Sequence, residues 1–264
     1  MEIKELLNIL KKLAPSLSYQ DFSDPSSCNS SVTSTRSISR LGVCVDPTAI
    51  NVENAAKLGI EVLISYHPWY GEAKELVDIQ HMQIWSLHEA WDNAPEGVLC
   101  TLAKGIGIKS LYPMGELIIG ELKTNFRDLI EYCQRFLGQN ILSYSGDLKQ
   151  EVHKVAMWAG PVFLPNYKRF WEVCQTENCD TLLSSELTLS ALRFSRACQL
   201  KLIDLGHSSM AKPGMSNLAA ILKKEAKDCS IHFLDDLYAC TYYTNCSFAD
   251  QFTESEDIFF GSDG

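Results

Sequence analysis

At 264 residues and 46% hydrophobic content, the chain carries enough apolar surface for one large core or two smaller ones. Its formal charge of −10 argues against a nucleic-acid footprint, which needs a clustered surplus of Lys and Arg, and suits a protein that binds a cation. No apolar run approaches the roughly 18–20 residues of a membrane span and no C-x-x-C pair is present. The ten cysteines therefore read as reduced side chains of a cytoplasmic protein, with nuclear residence also open; Cys44, Cys100, Cys133 and Cys198 lie in apolar patterns and are assigned to packing.

The start, "MEIKELLNILKKLAP", has the spacing of an amphipathic helix, and the Ser- and Thr-rich stretch 22–37 reads as a loop. From residue 40 short β-branched runs alternate with helical segments: "RLGVCVDPT", "NVENAAKLG", "IEVLISYHP", "HMQIWSLHEAWD" and "APEGVLCTLAKGIG", with Gly59 and Gly107 as helix stops. A less regular middle follows, with "LYPMGELIIGEL" as strand, "NFRDLIEYCQRFLG" as helix and "NILSYSGD" as strand. Then "HKVAMWAGPV" and "CDTLLSSE" read as strands, "LTLSALRFSRACQ" as a helix, "LKLIDLGH" as a strand and "GMSNLAAILKKEAK" as a helix. The tail "ADQFTESEDIFFGSDG" reads as a frayed end. The fold class is α/β, in one unit over 1–264 with lobes at 1–110 and 150–240 joined by 111–149.

Apolar runs end repeatedly on acid/base or metal-ligating groups: Asp46, His67, His88, Glu186 and His207, with Asp92 one helical turn beyond His88. In open α/β sheets ligands bind outside the carboxyl ends of the strands, so these groups are expected to share one crevice. Imidazole and carboxylate together hold Zn, Mn, Fe or Ni, and hydrolysis is the reaction class of such a site. Asp46, followed by Pro47 and Thr48, reads as a helix cap more than a ligand. His81, His153 and His232 have no such setting. Trp69, Tyr70 and Trp91 are read as packing over the sheet end, with stacking on a flat ligand as the alternative.

In these stretches the chain resembles the Nif-three-like proteins (NGG-one interacting factor three-like), also called dinuclear metal-centre proteins or type-two GTP cyclohydrolase I homologues. The family's "S-H-H-P", "H-T-N-x-D" and "D-A-G-H-Y-x-x-E" have counterparts in "SYHP" (65–68), "HEAWDNAPEGV" (88–98) and "DLGHSSMA" (204–211), and "RLGVCVDPT" and "CDTLLSSEL" also match. The resemblance implies mixed sheets packed around a central site. It places His67, Asp92 and His207 on metal-ligand positions and His88 on a companion histidine. Tyr66 stands where the family has the first histidine of its pair, and Ala211 where it has the closing glutamate. Those two departures argue against a full dinuclear site and leave room for one divalent ion (Zn, Mn, Fe, Ni or Mg). Whether Tyr66 ligates or only hydrogen-bonds, and whether Glu186 or Glu89 replaces the lost carboxylate, stays open. The segment between "SYHPW" and "HMQIWSLH" is shorter than usual for the family. The resemblance further implies a homo-oligomer, a hexamer, and protein partners of the transcription-coactivator type. The favoured function is a non-catalytic or weakly metal-binding interaction or scaffold protein. The alternative is a metal-dependent hydrolase, cyclohydrolase- or phosphoesterase-like, with a mononuclear site, although no G-x-x-x-x-G-K phosphate loop is present.

Overall fold

The structure is a computed structural model that describes residues 1–16, 37–69 and 82–237. Most of the loop read at 22–37, Tyr70, His81 and the acidic tail lie outside the described residues.

Two sheets organise the chain. The first is parallel, with order β10-β1-β2-β3, from β1 (Arg40–Cys44), β2 (Val62–Ser65), β3 (Gln83–Ser86) and β10 (Ser230–Leu234). The second is mixed, with order β4-β5-β7-β8-β9-β6, from β4 (Lys109–Met114), β5 (Leu117–Asn125), β6 (Ser143–Ser145), β7 (Glu151–Met157), β8 (Thr181–Ser184) and β9 (Lys201–Asp204). Strands β2 and β8 are buried along their whole length, the pattern of strands covered on both faces.

The covering helices define the layers. Side chains alternate along β1, so Leu41 and Val43 face one side and Cys44 the other. The inner side packs on α1 (Ile3–Leu13), α4 (Val98–Ile106), α5 (Phe126–Leu137) and α8 (His207–Glu225), which lie between the two sheets and also cover Ile118, Val155, Leu183 and Ile203 of the second. The outer face of the first sheet is closed by α2 (Ala49–Lys57), and that of the second by α6 (Lys168–Thr176) and α7 (Leu189–Cys198). Helix α8 meets α4 at Gly214, where a Cβ would stand 2.6 Å from Val98 Cα, so only glycine permits this approach.

Three sequence readings are corrected. "LYPMGELIIGEL" is not one strand but the hairpin β4–β5, turned at Gly115 with φ +64°. Helix α8 begins at His207 and not at Gly214. Pro213 breaks the sequence pattern, but the helix carries it within its length. Asp46 is not the cap of α2, because Thr48 holds that position and accepts the Asn51 backbone N–H at 3.1 Å. Strand β10 and helix α6 were not anticipated, and β10 returns from near the C-terminus to the first sheet.

Candidate functional site

The carboxyl ends of β2 and β3 in one sheet face those of β8 and β9 in the other. His67 follows β2 and His207 opens α8 just after β9, and their rings come together with centroids 5.0 Å apart. His88, at the first position of α3 (His88–Asp92), stacks on Tyr66 at 5.2 Å and lies 5.7 Å from the His67 ring. The turn after β2 is tied down by Ser65 Oγ donating to the His67 carbonyl at 2.7 Å and Ser86 Oγ donating to the Tyr66 carbonyl at 2.8 Å. Two site residues adopt left-handed backbone, His88 at φ +25° and Glu186 at φ +66°. Such conformations persist only where the surroundings over-determine them.

Each of the two converging imidazoles has a carboxylate behind it. His67 Nδ1 lies 2.6 Å from Oδ1 of the fully buried Asp46, and His207 Nδ1 lies 2.8 Å from Glu186 Oε1. A carboxylate only accepts, so in both pairs the Nδ1–H donates and Nε2 is the nitrogen presented to a ligand. Asp46 and Glu186 are thus orienting groups, a role that strand-end position alone did not distinguish from ligation.

Asp92 is engaged differently. The Tyr66 phenol, 1% exposed, donates to Asp92 Oδ1 at 2.5 Å. Burial pushes the Asp92 carboxyl up to about 7, aided by Glu89 and Glu116 and opposed by the Tyr66 hydrogen bond and by His67. Burial and the neighbouring Asp92 likewise hold the Tyr66 hydroxyl well above the ordinary phenol value. Ala211, one helical turn after His207, is fully buried and offers no donor. Among the described residues no group of three or more His, Cys, Asp or Glu side chains is arranged to hold a metal ion.

A cavity of about 400 Å³ opens beside these groups. Tyr66, His88, Glu89, Asp92 and His207 line one side, and Glu116, Trp158, Tyr167 and Arg169 the other. Trp158 and Tyr167 meet edge to face at 4.8 Å, and Arg169 pairs with Glu116 at 2.7 Å. These four residues were missed in the sequence. Only Trp158, immediately after β7, occupied a strand end. Trp69 and Trp91 do not line this cavity: Trp91 is fully buried and Trp69 nearly so, which is packing. His153 is exposed and pairs with Glu151 at 3.0 Å.

A family model described as Duf34/NIF3 (NGG1p interacting factor 3) matches residues 1–236. The chain belongs to the DUF34/NIF3 family. A relative named GTP cyclohydrolase 1 type 2 homolog from Clostridium perfringens is 19% identical over 86% of this chain and 98% of its own length. Another of that name from Nostoc sp. is 26% identical over 70% of this chain and 77% of its own. Among solved structures, reduced HcgD from Methanocaldococcus jannaschii superposes with a TM-score of 0.73 at 20% identity, covering 89% of this chain and 98% of that one. A Bacillus cereus protein related to NIF3 gives 0.74 at 13% identity, covering 93% and 99%. At such identities the structural likeness establishes the NIF3 fold and nothing finer.

Within this NIF3 fold the raised Asp92 carboxyl has a measurable consequence. A carboxyl whose folded value exceeds its unfolded one stabilises fully below the unfolded value, here 3.8, and loses that contribution as pH rises through about 7. Replacing Asp92 with asparagine, which imitates the neutral acid, should leave stability near pH 4 little changed and raise it at pH 8, by up to about 4 kcal/mol. Urea melts of both proteins across that range check this, and parallel pH profiles would contradict it.

Proposed function

We propose that this NIF3-family chain acts by binding, as an interaction or scaffold protein in which the two-metal chemistry implied by its resemblance has been dismantled. The observation that carries this reading is the Tyr66–Asp92 hydrogen bond. A carboxylate held at 2.5 Å by a buried phenol has given one oxygen to a side chain where a two-metal site would use it as a ligand. With Ala211 at the second altered position, the donor set does not fit a pair of ions. Transcription-coactivator partners and a hexamer remain expectations from the family resemblance.

One observation favours a second reading, a hydrolase with a single ion. Metal-ligating histidines usually donate their other ring N–H to a carboxylate, and Asp46–His67 and Glu186–His207 have that form. Turnover separates the two readings. Purified protein incubated with Zn or Mn should hydrolyse neither phosphate esters nor purine nucleotides. Hydrolysis that a chelator abolishes and that is lost in His67→Ala would overturn the binding-only reading in favour of the second.

A further inference from the structure

We propose that Cys174 and Cys179, at the end of α6, form a peroxide-sensitive dithiol that closes reversibly to a disulfide. Helix α6 ends in a Schellman motif. Asn178, at φ +55°, donates its N–H to the Gln175 carbonyl at 3.1 Å, and Cys179 donates its N–H to the Cys174 carbonyl at 2.8 Å. In this motif the two residues joined by the outer bond bring their side chains together, and the contact is commonly apolar. Here both partners are cysteines, joined through the backbone by that outer bond. The backbone bond brings the two residues together at the helix end, the proximity a disulfide requires.

The surroundings assign the roles. Cys174 is buried against the aromatic cluster of α6, whereas Cys179 is partly exposed. Lys154 Nζ donates to the Glu177 carbonyl at 2.7 Å and to Glu177 Oε2 at 3.2 Å, which brings a cation close to Cys179. Donation from the Cys174 thiol and then the Lys154 ammonium pull the Cys179 thiol below its ordinary value against the effect of burial; the same hydrogen bond and burial push Cys174 up. Cys179 is therefore the attacking thiolate. Its sulfur bonds to one peroxide oxygen as the O–O bond breaks, giving a sulfenic acid and a hydroxide that is protonated to water. The Cys174 sulfur then attacks the Cys179 sulfur, the S–O bond breaks, and the departing oxygen leaves as a second water with the Cys174 proton. Two thiols and one peroxide give one disulfide and two waters. Cys198 is the competing third thiol and accepts from Gln175 Nε2 at 3.0 Å.

Trypsin places Cys174 and Cys179 in one peptide, 170–193, and Cys198 in another, so mass mapping separates the outcomes. Folded, reduced full-length protein treated with hydrogen peroxide and then alkylated should yield peptide 170–193 lacking two hydrogens and both alkyl groups, restored by dithiothreitol. In Cys174→Ser, dimedone should capture a sulfenic acid at Cys179. Full alkylation of both cysteines after peroxide, or a cross-link between peptide 170–193 and Cys198, would overturn the proposal. The wild-type map decides even if the serine variant fails to fold.

Discussion

Trp91→Ala should lower stability by about 3–5 kcal/mol, the cost of deleting a fully buried large aromatic side chain. The Tm should fall by roughly 10 °C for a chain of this size. Trp91 sits where three helices meet. Its indole N–H donates to the Gly214 carbonyl of α8 at 3.2 Å, and Gly214 is the point at which α8 touches Val98 of α4. Removing the side chain opens a void between elements whose close approach depends on Gly214, so neighbours have little freedom to collapse into it. Trp91→Phe keeps most of the volume and loses the hydrogen bond, and should cost nearer 1–2 kcal/mol. Thermal and denaturant melts of both variants check the order. A melt unchanged in Trp91→Ala would contradict the packing role and reopen a ligand-stacking one.

The second large effect is a gain. Tyr66→His combined with Ala211→Glu should restore metal binding, because the two changes act on the two faults of the donor set. Histidine at 66 removes the phenol that occupies Asp92, and glutamate at 211 lies one turn after His207 on the same face of α8. The variant should pay for this in the absence of metal, since position 211 is fully buried and an unpaired carboxylate there is desolvated. Its melting temperature should therefore be below wild type when metal-free. Saturating Zn or Mn should recover it, with about 4 kcal/mol from an ion present at roughly 1,000 times its Kd. Wild-type melting should respond far less to the same ion.

Much of the site was legible because strand ends can be read from hydrophobic runs. His67, His207 and the α/β rhythm followed from where apolar segments stop, and the rings do meet across the two sheets. What the pattern could not give was partnership. Asp46 looked like a cap because it precedes Pro47 and Thr48, but a helix needs only one cap, and Thr48 supplies it. Asp46 is left to orient His67. The opposite wall was hidden for a different reason: Glu116 sits in the β4–β5 hairpin and Tyr167 and Arg169 at the start of α6, all brought in by tertiary packing and not by any periodicity near the ligand-type residues. Strand β10 escaped notice because His232 interrupts its apolar run and only Ile231 and Leu234 of its five residues are buried; its parallel pairing with β1 reveals it.

Elemental analysis of tag-free wild-type protein beside the Tyr66→His/Ala211→Glu variant, both exposed to the same Zn or Mn and then exhaustively dialysed, reads directly whether the wild-type donor set holds a pair of ions. Well below one ion per chain is expected in the wild type and about two in the variant, the content of a two-metal site. About two tightly held ions per wild-type chain would contradict that expectation.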